Sequence, residues 1–105
     1  MDLSNLMQMA GQLREQLAQA QAQARELRIE GEAGGGLVRV VMNGQHEVLE
    51  IVIDPKALAD KALLEDLLRA AFNQASARVQ ESVRDRMGGF ARSFGIDLSA
   101  LGLGR

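Results

Sequence analysis

The chain has 105 residues and a formal net charge of -2, which allows one small hydrophobic core and leaves no room for a second module. Aromatic residues make up 3%, three Phe with no Tyr or Trp, which removes the stacking platforms of RNA-recognition and single-strand-binding folds; zero Cys and one His exclude disulfide frameworks, thiol catalysis and ordinary zinc sites. With 47% hydrophobic and 25% charged residues the composition is that of a folded globular chain, and its negative sum, taken alone, argues against a polyanionic partner.

Met1 to Ala10 carries Asp2 and no Lys or Arg, so no secretory signal is expected, and no stretch approaches the roughly 18 to 20 apolar residues that cross a bilayer. The expectation is a soluble, cytoplasmic protein. Leu3, Leu6, Ala10, Leu13, Leu17, Ala20, Ala24 and Leu27 recur at alternating spacings of three and four, a heptad seam. Gln8, Gln12, Gln16, Gln19, Gln21 and Gln23 are good helix formers on the other faces, and Asp2 or Ser4 suits the N-cap. The predicted helix over residues 1–28 is roughly 37 Å long, whereas a compact chain of this size has a radius of gyration of about 13 Å. It outgrows its own domain, so its seam needs a second chain or a second long helix.

After Leu27 the period changes to two at Ile29, and Gly31-Glu32-Ala33-Gly34-Gly35-Gly36 interrupts it as a turn. Leu37 to Met42 reads as a strand, Asn43-Gly44 as a tight hairpin turn, and Val48 to Ile53 as the return strand. The expectation is a three-stranded antiparallel meander over 29–54. Asp54-Pro55 ends it, and Lys56 to Ala59 forms a short helical turn. Asp60 suits the N-cap of a second long helix through Leu64, Leu68, Phe72, Ala75, Val79, Val83 and Met87, with Gly88-Gly89 expected to stop it. The helical part is thus 55–88, followed by a glycine-punctuated tail, 89–105, that carries Phe94, Ile96, Leu98, Leu101 and Leu103. The order predicts a single α+β domain, with one small sheet between two long helices.

The glycine cluster fails as a phosphate loop, because Leu37 and Val38 stand where Lys and Ser or Thr are required. It fails as a dinucleotide fingerprint because the third glycine would fall at Arg39. His46, with Glu47 and Glu50 nearby, reads as a solvated turn residue, since no nucleophile or orienting partner accompanies it. Glu47, Glu50 and Asp54 have no calcium-loop spacing and read as a solvated acidic edge. No cofactor or metal is expected, nor an enzyme; a hydrolase built on His46 and Glu47 ranks last.

Charge is unevenly distributed. Residues 28–55 are net acidic, whereas Arg69, Arg78, Arg84, Arg86 and Arg92 face only Glu81 and Asp85 between positions 69 and 92. Arg grips phosphate bidentately where Lys acts as a point charge. Arg near a helix C-terminus also complements the helix dipole, and composition leaves the two readings near even.

Several segments in order, Leu6-Met7 in a Gln-rich first helix, Gly31 to Val40, Asn43-Gly44, Ile53-Asp54-Pro55, Leu64 to Leu67 and Ala70 to Ala75, resemble the YbaB/EbfC family of bacterial nucleoid-associated proteins. The resemblance spans roughly Leu3 to Met87 and implies a tweezer-like, cytoplasmic homodimer whose long helices hold duplex DNA in the nucleoid, without enzymatic activity. Carried over by position, it implies DNA contacts from Arg14, Arg25 and Arg28 of the first helix and from Arg78, Arg84, Arg86 and Arg92 of the last. Gln8, Gln12 and Gln16 stand where family members often have Lys, which moves the expected weight of contact to the C-terminal Arg cluster. The function expected is duplex binding largely without sequence specificity, compacting or protecting the chromosome or modulating expression. The alternative is an acidic dimeric adaptor or chaperone for a recombination-repair or other protein partner.

Overall fold

The computed structural model describes residues 2–93, with side chains to residue 89. Helix α1 spans Leu3–Glu26 and begins at Asp2, whose carboxylate accepts the Ser4 N–H at 3.2 Å. Leu27 ends it in an extended conformation and leads into strands β1 (Ile29–Ala33), β2 (Val38–Met42) and β3 (Val48–Ile53). These form an antiparallel sheet in the order β1-β2-β3. A short 3-10 turn, Pro55–Ala59, is capped by Asp54, which accepts the Lys56 N–H at 2.9 Å. Helix α2, Lys61–Ser93, starts where Asp60 accepts the Leu63 N–H.

One face of the sheet carries the core. Val38, Val40 and Met42 of β2 pack against Ala71, Ala75 and Val79 of α2, with Ile29, Ile53, Leu64, Leu67, Leu68, Phe72 and Val83 around them. The alternation of β2 puts Arg39 on the other face, where it pairs with Glu30 at 3.2 Å, while Arg28 pairs with Glu50 at 2.8 Å. Helix α2 lies over β1 and β2. Strand β3 is left exposed along almost its whole length, with Leu49 at 45% and Ile51 at 47% of full exposure.

The meander agrees with the expectation, but its glycines do different work. Gly31 lies inside β1, which runs on to Ala33, so the turn is confined to residues 34–37. A Cβ on Gly31 would overlap the Ala71 carbonyl oxygen and the Ala75 nitrogen, so the missing side chain sets how closely α2 approaches the sheet. Gly34, Gly35 and Gly36 all have positive φ, the conformation for which glycine is suited. Asn43-Gly44 opens a five-residue loop, 43–47, in place of a two-residue turn, and β3 rejoins β2 with an irregular register beside Met42. Nor do Gly88 and Gly89 stop α2, which continues to Ser93. Neither has the positive φ by which a glycine ends a helix, and an interior glycine costs a helix only about 1 kcal/mol. Phe94, Ile96, Leu98, Leu101 and Leu103 lie outside the described residues.

Helix α1 contains no buried residue in 24. Its seam is open, with Leu3 69% and Leu17 46% exposed. The described chain extends 67 × 26 × 16 Å with a radius of gyration of 19.0 Å, well above the value of about 13 Å for a compact chain of this length.

Candidate nucleic-acid interface

The arginine side chains described fall into two groups. Arg28, Arg39 and Arg69 pair with Glu50, Glu30 and Asp66, and Arg78 donates to the Glu30 carbonyl oxygen at 2.7 Å. Arg14, Arg25, Arg84 and Arg86 are exposed and have no hydrogen-bond or ion-pair partner among the described residues. The first group surrounds the sheet and the start of α2; the second lies on α1 and on the C-terminal part of α2. Of the residues expected to contact DNA, Arg28 and Arg78 are therefore held internally. Arg92 falls within α2, its side chain outside the described residues.

Helix geometry sorts the charges further. At about 100° per residue, Arg84 and Arg86 flank the apolar stripe of Val83 and Met87 on either side. Glu81 and Asp85 continue the stripe of Gln74 and Arg78, on the far side of the helix. On α1, Arg14 and Arg25 are three turns apart on one flank of the heptad seam, and Glu15 and Glu26 lie farther around. On α1 the unpaired guanidinium groups lie closer to the seam than the carboxylates do, and on α2 Arg86 is set apart from Glu81, whereas Arg84 stands one turn after it.

The loop 43–47 brings the two helices into relation. Asn43 is 2% exposed, and its side-chain oxygen accepts the N–H groups of Gln45 at 2.9 Å and Glu47 at 3.1 Å. Its amide nitrogen donates to the Glu47 carboxylate at 2.9 Å, and its backbone N–H to the Glu47 carbonyl at 3.0 Å. Gly44 then donates its N–H to the Ala24 carbonyl at 2.7 Å, at the last turn of α1. A Cβ there would stand 2.9 Å from that oxygen and 3.0 Å from the Ala24 Cβ, so the contact requires glycine. A groove of about 680 Å³ results, with Leu17, Ala20 and Ala24 on the α1 side, Val83, Arg86 and Met87 on the α2 side, and Gln45 of the loop between them. Beyond Val83 and Met87, a second cleft of about 360 Å³ is lined by His46, Gln80 and Arg84.

The expectation of Arg84 and Arg86 at the interface is compatible with this placement, which also puts Arg25 next to the Ala24 contact. What sequence reasoning missed is the loop. The signal was available in Asn43 and Glu47, four residues apart with an Asx-turn former at the first position, a pattern that closes a longer loop than Asn-Gly alone. Among the described residues no group of three or more His, Cys, Asp or Glu could hold a metal ion, and no helix is long and apolar enough to cross a membrane. The arrangement presents cations on projecting helices and can hold a polyanion.

Residues 1–94 match the model of the YbaB/EbfC DNA-binding family. The chain is 46% identical over 89 residues to a nucleoid-associated protein of Anaeromyxobacter sp. (strain Fw109-5), covering 83% of this chain and 86% of that one. It is 41% identical over 87 residues to a nucleoid-associated protein of Xylella fastidiosa, covering 83% and 81%. Among solved structures, an uncharacterized protein of Helicobacter pylori superposes with a TM-score of 0.79 at 26% identity, over 86% of this chain and 97% of that one.

Proposed function

The chain belongs to the YbaB/EbfC DNA-binding family, and from that premise we propose that it is a homodimeric, non-enzymatic nucleoid protein that holds duplex DNA by its phosphates with little sequence preference. The observation that carries this reading is the division of the guanidinium groups: Arg14, Arg25, Arg84 and Arg86 lack internal partners, and all lie on the helices away from the sheet. Contacts of Arg with phosphate fix position and carry no sequence information. The acidic residues that would favour a protein adaptor are partly matched within the sheet, Glu30 by Arg39 and Glu50 by Arg28.

The homodimer is supported by two surfaces that need cover. The seam of α1 has no buried residue, and a helix is held chiefly by burial of its apolar face. Strand β3 is an apolar edge, a position that proteins ordinarily blunt with charge, proline or a covering element. The β1 edge is covered: Gln74 accepts the Glu32 N–H at 2.7 Å and Arg78 donates to the Glu30 carbonyl at 2.7 Å. A second copy on the β3 side would bury the exposed apolar surface and double the cationic sites across a twofold axis.

Duplex affinity measured against salt tests the reading. The logarithm of affinity should fall with the logarithm of salt at a slope of about -3.6 if four Arg engage, and about -7 if all eight of a dimer do. Arg84→Glu with Arg86→Glu should weaken binding to unrelated duplexes alike while the size of the free protein is unchanged. An affinity insensitive to salt would sink the proposal.

A further inference from the structure

We propose that the loop 43–47 is itself part of the DNA interface, with His46 donating to the same phosphate as Arg84; this rests on the duplex-binding reading above. His46 is exposed and shares the cleft of about 360 Å³ with Arg84 and Gln80. Its backbone is left-handed, φ 61°, a conformation that costs most residues on the order of 1 kcal/mol, that His shares with Asn and Asp more often than other side chains do, and that Gly adopts freely. Asn43 ties the loop at both ends and Gly44 fixes it to the last turn of α1, so the backbone that carries His46 is anchored where the residue lines the cleft beside α2.

The surroundings suit an anion. Arg84 is the cation lining the cleft and has no partner among the described residues; Gln80 offers an amide N–H. The Glu47 carboxylate is held by the Asn43 amide at 2.9 Å. A phosphate in the cleft would therefore meet a forked guanidinium, an amide and an imidazole, the mixture of charged and neutral donors that positions a DNA backbone.

A double-mutant cycle in the full chain tests the assignment, read as duplex affinity in low salt with unfolding curves run in parallel. His46→Gly removes the imidazole without penalising the left-handed backbone and should weaken binding about two- to tenfold, the range for loss of one ordinary solvent-exposed hydrogen bond. His46→Asn keeps a donor on a residue that tolerates this backbone and should restore part of the loss. If both side chains hold one phosphate, combining His46→Gly with Arg84→Ala should cost less than the product of the separate losses. Losses that multiply, or a His46→Gly protein that binds like the parent while Arg84→Ala does not, would overturn the role of His46 and leave the duplex reading intact. A parent protein that binds no duplex in low salt would overturn both.

Discussion

At the scale of single residues, the glycines separate into those needed for backbone conformation and those needed for space. Gly35 has φ 67° and nothing within 4 Å of a Cβ placed on it, whereas Gly31 would drive a Cβ into the backbone of α2 at Ala71 and Ala75. Gly35→Ala therefore carries only the left-handed penalty, on the order of 1 kcal/mol. Gly31→Ala requires the helix to move off the sheet above Val38 and Val40, and overpacking of this kind costs typically about 1 to 3 kcal/mol. Urea unfolding should show the larger drop in midpoint for Gly31→Ala; equal drops would mean that α2 accommodates the methyl by shifting freely. The sequence hid this distinction. A glycine between two glutamates with three more glycines close behind reads as a turn, and only the helix from forty residues later shows that Gly31 is a packing position.

At the scale of elements, the two edges of the sheet are treated differently. Gln74 and Arg78, one helical turn apart on α2, reach over and occupy the Glu32 N–H and the Glu30 carbonyl, groups through which another strand could pair. Replacing both by Ala should expose the β1 edge and yield assemblies larger than those of the parent, growing with concentration in light scattering. A double variant with the parent's size distribution would mean that α2 shields the edge without these side chains. Strand β2 and helix α1 were legible because the apolar run of the one and the three-and-four spacing of the other are local patterns. The function of Arg78 was not, since Arg in a basic helix reads the same whether it faces a phosphate or a carbonyl. Its assignment depends on the sheet lying alongside it, a long-range fact that charge patterning does not contain. The same limit applies to the end of α2, where two glycines carried a stop signal and the backbone kept its helical conformation.

At the scale of the whole molecule, the net charge of -2 averages over an acid-bearing sheet and two helices on which Arg14, Arg25, Arg84 and Arg86 have no partner among the described residues. Screening limits interactions to about 8 to 10 Å at ordinary ionic strength, so the local pattern governs contact with a polyanion. The same extended architecture makes α1 the least supported part of the fold. It has 24 residues, none of them buried, and its end is tied to the body by the Gly44 to Ala24 hydrogen bond. Its Ala, Gln and Leu content favours helix, but helices without tertiary burial are marginal in water, whereas α2 is anchored by Ala71, Ala75 and Val79 in the core. Stability should therefore differ along the chain. If the proposed dimer covers the seam, diluting the protein below its dissociation constant should release the amides of α1 to rapid hydrogen exchange and lower the far-UV helical signal, with β2 and the first half of α2 still protected. Leu13→Asp with Leu17→Asp should produce the same state at high concentration, because both side chains are exposed in the single chain and the core loses nothing by their replacement. If α1 stays protected in a chain that sizing shows to be monomeric, the seam needs no partner, and the case for the dimer would then rest on β3 alone.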